Sequence, residues 1–230
     1  PTTAAQASAQ LGITLSGLYL CREASGALAD VLGGASLAVT GAPTFQRQVG
    51  DRLGVHYSAL PQVHSADVHP LGVASGWYAA VFEDVSKAAV LTGIMGRANA
   101  GVTECAILYL QGTGNTTALI NDAAAGTIIV SGVTANPKTT GGAWLGQLQI
   151  DRAAGLARTR LSSIGGGIFE QAQASIAGFG SLDGAGQVFG FGCLPALNYG
   201  AAVSWGAVAT GVQCEGATFL ATMAQRLGVE

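Results

Sequence analysis

The chain has 230 residues, of which 35 are glycine; its charged fraction is 10% and its formal net charge is −3. Typical soluble domains carry about 25% charged residues, so this surface is poorly equipped to face bulk water alone, and neighbouring subunits that cover it would explain the shortfall, because interface cores are depleted in charge. The basic residues are scattered, which excludes the basic patch that sustained nucleic-acid binding requires; the longest charge-free stretch, 184–214, is broken by Gln187, Pro195, Asn198, Tyr199, Ser204 and many glycines, which excludes an apolar membrane-spanning helix of about 20 residues.

The N-terminal PTTAAQASAQ has neither the basic start nor the apolar run of a signal peptide. The expectation is a chain made in the cytoplasm, with Pro1 exposed by removal of an initiator methionine. Residues 1–14 read as an arm, flexible or partner-bound, and 15–230 as one domain, since no linker, charge run or long repeat divides them.

Residues 55–70, VHYSALPQVHSADVHP, hold every histidine of the chain. His64, Asp67 and His69 offer two imidazoles and a carboxylate, the donor types of a transition-metal site. On a strand Asp67 and His69 would share a face and His64 would oppose them; on a helix His64 and Asp67 would be neighbours. Pro61 and Pro70 frame the segment as a loop. The expectation is a surface or interface loop, with His56, His64, Asp67 and His69 as binding candidates. A divalent metal at His64, Asp67 and His69 is the sharper alternative, and no other cofactor is expected.

Short segments rich in β-formers follow, divided by Gly, Asn, Asp and Ser clusters, the pattern of a sandwich or barrel. SGWYAAVFEDV sets Tyr78, Ala80 and Phe82 against Trp77, Ala79 and Val81; apolar on both faces, it predicts a central, covered strand. AAVLTGIMGR, TECAILYLQG, NTTALIN and GTIIVSG continue the series. The clearest hairpin is AWLGQLQIDRAAGLARTRLSS. There Trp144, Leu148 and Ile150 alternate with Gln147, Gln149 and Asp151 at a period of two, and DRAAGL turns the chain with Gly155 in a left-handed closing position. Arg158 and Arg160 return on a shared, more solvated face. GQVFGFGCL and YGAAVSWGAVAT supply late strands. EGATFLATMAQRLG places Phe219, Leu220, Met223 and Leu227 at helical spacing, with Gly228 as its C-cap. Of Trp77, Trp144 and Trp205, at least two are expected in the core. Cys21, Cys105, Cys193 and Cys214 lack CxxC spacing and sit in apolar stretches, which reads as buried thiols with one or two disulfides left open.

These features, taken in order, resemble the laminin-G-like, concanavalin A-like jelly-roll superfamily over about residues 15 to 230. The opening GLYLCREASGALADVLGGASLAVTGAPTFQ is similar to the first strands of such domains, with a D-x-x-G turn at Asp30 to Gly33 and an L-x-V-x-G strand at Leu37 to Gly41. SGWYAAVFED resembles the first long strand, the tryptophan-bearing hairpin turns through D-x-x-x-G, and a W-G-x-V strand before a small helix resembles the family's close. The resemblance implies an all-β, two-sheet antiparallel jelly-roll sandwich with one short C-terminal helix. It also places the histidine segment near the sandwich rim. Ala/Gly-rich modules of this kind are similar to bacteriophage virion proteins. The fold alone does not select a function.

Hydrolases of this fold place two carboxylates on one strand in an E-x-D-x-x-E-like run, so that both face one groove. Here the acidic residues are dispersed: Glu83 and Asp84 are adjacent and point oppositely, Asp151 sits in a turn, and Glu104 and Glu170 stand alone. No G-x-S-x-G elbow, P-loop lysine or full dinucleotide fingerprint is present. The leading expectation is a non-enzymatic structural or interaction subunit of a virion, decorating a capsid or building a tail or fibre, assembled as a homo-oligomer or larger array through sheet faces and rim loops. The alternative is a lectin-like module recognising a cell-surface glycan; a divergent glycosidase ranks below both.

Overall fold

The computed structural model describes residues 14–50, 52–85, 89–131, 133, 135–164, 169–192, 194, 197 and 199–210. The predicted helix at 215–228 and the arm at 1–13 lie outside the described residues. Sixteen strands are described: β1 (Gly17–Tyr19), β2 (Ala38–Thr40), β3 (Thr44–Val49), β4 (Arg52–His56), β5 (Val63–Ala66), β6 (Gly76–Glu83), β7 (Thr92–Ala98), β8 (Cys105–Leu110), β9 (Thr116–Asp122), β10 (Gly126–Val130), β11 (Trp144–Asp151), β12 (Leu156–Ser163), β13 (Phe169–Ser175), β14 (Val188–Gly192), β15 (Tyr199–Gly200) and β16 (Ala202–Thr210). They build a jelly-roll sandwich of two eight-stranded sheets.

The first sheet runs β13-β12-β11-β6-β16-β4-β3, with β1 also on β16; the second runs β10-β9-β8-β7-β14-β5-β2, with β15 on β7. Every pairing is antiparallel except β15 with β7. The predicted hairpin stands as read: β11 and β12 pair from Trp144↔Ser163 to Asp151↔Leu156, and Gly155 closes the turn at φ 64.

The inner faces make one apolar core, because alternate residues of each strand point the same way. Tyr78, Ala80 and Phe82 of β6 pack with Trp144, Leu148 and Ile150 of β11, Leu108 of β8, Ile120 of β9, and Phe189 and Phe191 of β14. Burial of each such side chain stabilises by about 1.5–3 kcal/mol. Gly206 lets the sheets meet closely here: a Cβ on it would lie 2.3 Å from the Phe191 ring. Trp77 and Trp144 are both buried, as expected; nothing is described of the Trp205 side chain. Cys21 and Cys105 are buried thiols without a disulfide, and burial pushes the Cys105 thiol up to about 12. Cys193 and Cys214 lie outside the described residues.

Two features depart from the sequence reading. A one-turn helix, α1 (Pro137–Thr140), interrupts the strands; Asn136 caps it by accepting from the backbone N–H groups of Lys138 and Thr139, and Pro137 tolerates the first helical position because it lacks a donor there. The outer face of β11 and β12, expected to be solvated, is covered instead: Gln147, Gln149 and Asp151 are buried, and so is Arg160. Among the described residues no helix is long and apolar enough to cross a membrane.

Candidate functional site

The three histidines do not meet. His64 lies on β5, a strand and not a loop, and its ring is fully buried. Its Nε2 faces the Gly26 carbonyl at 2.8 Å, so that nitrogen carries the proton; Nδ1 then accepts from the Tyr57 hydroxyl at 2.9 Å. His69 sits in the following segment with φ 56, its Nε2 2.8 Å from the Tyr19 hydroxyl and its ring edge-on to Phe189. Gly17 lies against that ring: a Cβ there would come within 2.5 Å of it. Both histidines therefore hold the opening segment, residues 17–37, to the sandwich. His56 ends β4, opposite Ala202 and Thr44, and its buried Nε2 has no hydrogen-bond partner.

Burial lowers the pKa of all three rings. The charge of Arg47 adds to this at His56, against Asp84; the Gly26 hydrogen bond and Glu23 oppose it at His64; at His69, Asp30 opposes it and Arg97 adds to it. Asp67 turns away to Arg97, with Oδ1 2.8 Å from the guanidinium. Among the described residues no three His, Cys, Asp or Glu side chains are grouped to hold a metal ion, and His64, Asp67 and His69 in particular are committed to three different neighbours.

Sequence reasoning missed Arg97. This buried cation on β7 donates to Asp67 Oδ1, Asp183 Oδ1 and the Val68 carbonyl, while Asp183 also accepts from the backbone of Leu71 and Gly72. An arginine inside an otherwise apolar strand was the available signal, since a buried cation needs partners. The other rim repeats the device. Lys138 of α1 reaches Asp84 at 3.2 Å and donates to the Val90 carbonyl and Thr92 Oγ1, with both charged groups buried. All ten acidic residues with described positions are used in this way. Glu23, Asp30, Glu83, Glu104, Asp122 and Glu170 bind backbone or side-chain donors, and Asp67, Asp84, Asp151 and Asp183 face cations.

The chemistry left over lies on the outer face of β11–β13. Register sets Gln147 beside Arg160 and Arg160 beside Gln171; one row on, Gln149 stands beside Arg158 and Arg158 beside Gln173. Residues directly opposite share a face, so two amide–guanidinium–amide rows lie side by side. Arg160 Nε donates to Gln171 Oε1 at 2.7 Å, Arg158 pairs with Asp151 at 2.9 Å, and the Trp77 indole donates to Gln147 Oε1 at 3.0 Å. Exposure falls across the face, from the exposed Gln171 and Gln173 of edge strand β13 to Gln147 and Gln149 at 1% each. Three buried polar atoms on this face lack a hydrogen-bond partner: Gln147 Nε2, Gln149 Oε1 and Ser162 Oγ. They are a donor, an acceptor and a hydroxyl that does both. The glutamine alternation was plain in the sequence; that this face would be covered was not.

Two packed sheets with this connectivity are a jelly-roll sandwich, a fold the chain shares with several solved structures. Among solved structures, the chain is similar to the CBM40 module of the Ruminococcus gnavus IT-sialidase, at 12% identity and TM-score 0.54, covering 73% of this chain and 96% of that one. It is similar to the enzymatically active domain of bacteriophage CBA120 tailspike protein 2, at 14% identity and TM-score 0.54, covering 83% of this chain and 30% of that one. It also matches the LG1-3 region of the laminin alpha2 chain, at 11% identity and TM-score 0.50, covering 67% of this chain and 33% of that one. The CBM40 module has also been solved with sialyllactose bound. No family model matches the chain, and no curated protein matches it.

Proposed function

We propose that this chain is a non-catalytic recognition module of a virion-type assembly, and that its ligand is a glycan bound at the β13 edge of the outer face of β11–β13. One observation carries the reading: Gln171 and Gln173 stand exposed on the open strand β13 beside Arg160 and Arg158, and the two amide–guanidinium rows continue inward to Gln147 and Gln149. Sugar hydroxyls both donate and accept, which suits an edge that presents amide donors and acceptors beside guanidinium donors. Gln147 and Gln149, buried behind the edge, pair with Arg160 and Arg158 in register and back these groups.

The deployment of acids supports a non-catalytic role. Glycoside hydrolysis needs two carboxyl groups facing across a cleft at about 5–9 Å, and each described carboxylate is already engaged as a staple. The low charge of the chain and its likeness in fold to a phage tailspike domain support the virion setting. Glycan-array binding tests the reading, using the wild type and a Gln171→Leu/Gln173→Leu variant, both positions being exposed. The expected result is capture of a defined glycan set that the variant loses while its melting temperature holds. Equal binding by both proteins, or by neither, refutes it.

A further inference from the structure

We propose that β10 is a pairing edge, through which two copies of this chain join their second sheets into one continuous antiparallel sheet. The inference rests on the assembly half of the reading above and is independent of its glycan half.

Among the described strands, β13 and β3 end the main path of the first sheet and β10 and β2 that of the second, while β1 on β16 and β15 on β7 lie off these paths and are only three and two residues long. An open edge invites another strand, and proteins blunt such edges with charge, bulges or brevity. β3 is bulged between Thr44 and Arg47, holds Gln46 at φ 54, and carries a cation in Arg47. β13 carries Glu170 among its glutamines, and β2 is three residues long. β10 reads GTIIV, pairs with β9 without a bulge, and has neither charge nor proline. No residue from 123 to 131 is charged. Among the described residues, the backbone of β10 is hydrogen-bonded to β9 alone, which leaves alternate N–H and C=O groups directed outward.

The side chains agree with the backbone. Val130 and Ile128 pack toward the core, while Ile129 turns outward and is 52% exposed. Ile129 stands opposite Leu119, and Leu119 opposite Ile107. This apolar row crosses three strands, from Ile107 at 1% exposure to Ile129, and then runs off the sheet. In an antiparallel pair of β10 strands centred on Ile129, the second copy's Ile129 is the next member of the row, and each covers the other. A segment without charge meets its own copy without like-charge contact, and the two-fold contact closes on itself. Five residues bury far less than the ~1,200 Å² of a standard interface, so the isolated pair is weak and gains strength where many such contacts act together.

Sedimentation across a concentration series, with oxidative cross-linking, tests this on the full chain. The wild type should shift from monomer toward dimer as concentration rises. Ile129→Lys should remain a monomer at every concentration with an unchanged melting temperature, because the site is exposed. Ile129→Cys should yield a cross-linked dimer that the wild type, with the same four native cysteines, does not give. A wild type that stays monomeric, with no cross-link at position 129, overturns the proposal. A dimer that survives Ile129→Lys also overturns it, since the contact then lies elsewhere. Glycan capture by Ile129→Lys, measured in parallel, reports on the other face separately.

Discussion

His64 donates its Nε2 proton to the carbonyl of Gly26, 2.8 Å away and 38 residues earlier in the chain. That bond converts a histidine of apparent metal-site spacing into a clamp. Together with the Tyr19–His69 contact at 2.8 Å, it pins the opening segment over the aromatic cluster of Tyr19, Phe189 and Phe191.

Stability should therefore fall in mild acid. Burial lowers the pKa of His56, His64 and His69 in the folded chain, whereas in the unfolded chain each titrates near about 6.5. Below that value the unfolded state binds more protons, so the histidine contribution is complete above about pH 6.5 and is lost as pH falls toward the folded pKa values. Urea midpoints measured across this range should drop on the acid side and level off on the alkaline side. In His64→Gln/His69→Gln the slope should flatten. A wild-type midpoint that is constant through the range contradicts the clamp.

Breaking the Lys138–Asp84 pair should be costly. Both side chains are buried, at 5% and 0% exposure. Removing one member of a buried pair strands the other charge, at about 3–5 kcal/mol. Lys138→Met should lose stability on that scale, and Lys138→Met/Asp84→Leu should recover part of it, because the apolar pair removes both charges while the Val90 carbonyl and Thr92 Oγ1 still lose their donor. Chemical denaturation of the single and double variants reads both effects.

The two acids on Arg97 should behave unequally. Asp67 is 79% exposed where it meets the guanidinium and Asp183 only 23%. Asp183 also receives the backbone N–H groups of Leu71 and Gly72. Asp67→Ala should cost less than about 1 kcal/mol, as exposed ion pairs do, and Asp183→Ala about 3 kcal/mol, with hydrogen bonds to a charged group lost. Equal losses from the two variants would show that the rim knot is not organised around Asp183.

The regular strands were legible because period-two alternation is a local signal. β6 and the β11–β12 hairpin could be written down residue by residue, including the turn at Gly155. The opening third was less legible. β2 to β5 are short and join partners far along the chain, as when β5 pairs β14, and nothing local encodes such pairings. The histidine segment was misplaced in part for that reason. Pro61 and Pro70 do bound it, but a four-residue strand fits between them and carries His64 into the core. The glutamine face was half legible: its alternation is in the sequence, while its burial depends on what packs above the sheet.

The Gln171 and Gln173 side-chain amides report on the proposed glycan edge directly, because both are exposed on β13 and stand beside Arg160 and Arg158. An NMR titration of labelled protein with a glycan taken from the array would follow those amides alongside the Nε–H groups of Arg158 and Arg160. The account predicts that these resonances shift together and saturate with the bound fraction. A glycan that binds while they stay fixed, shifting only rim residues such as Asp67 and His69, would contradict it.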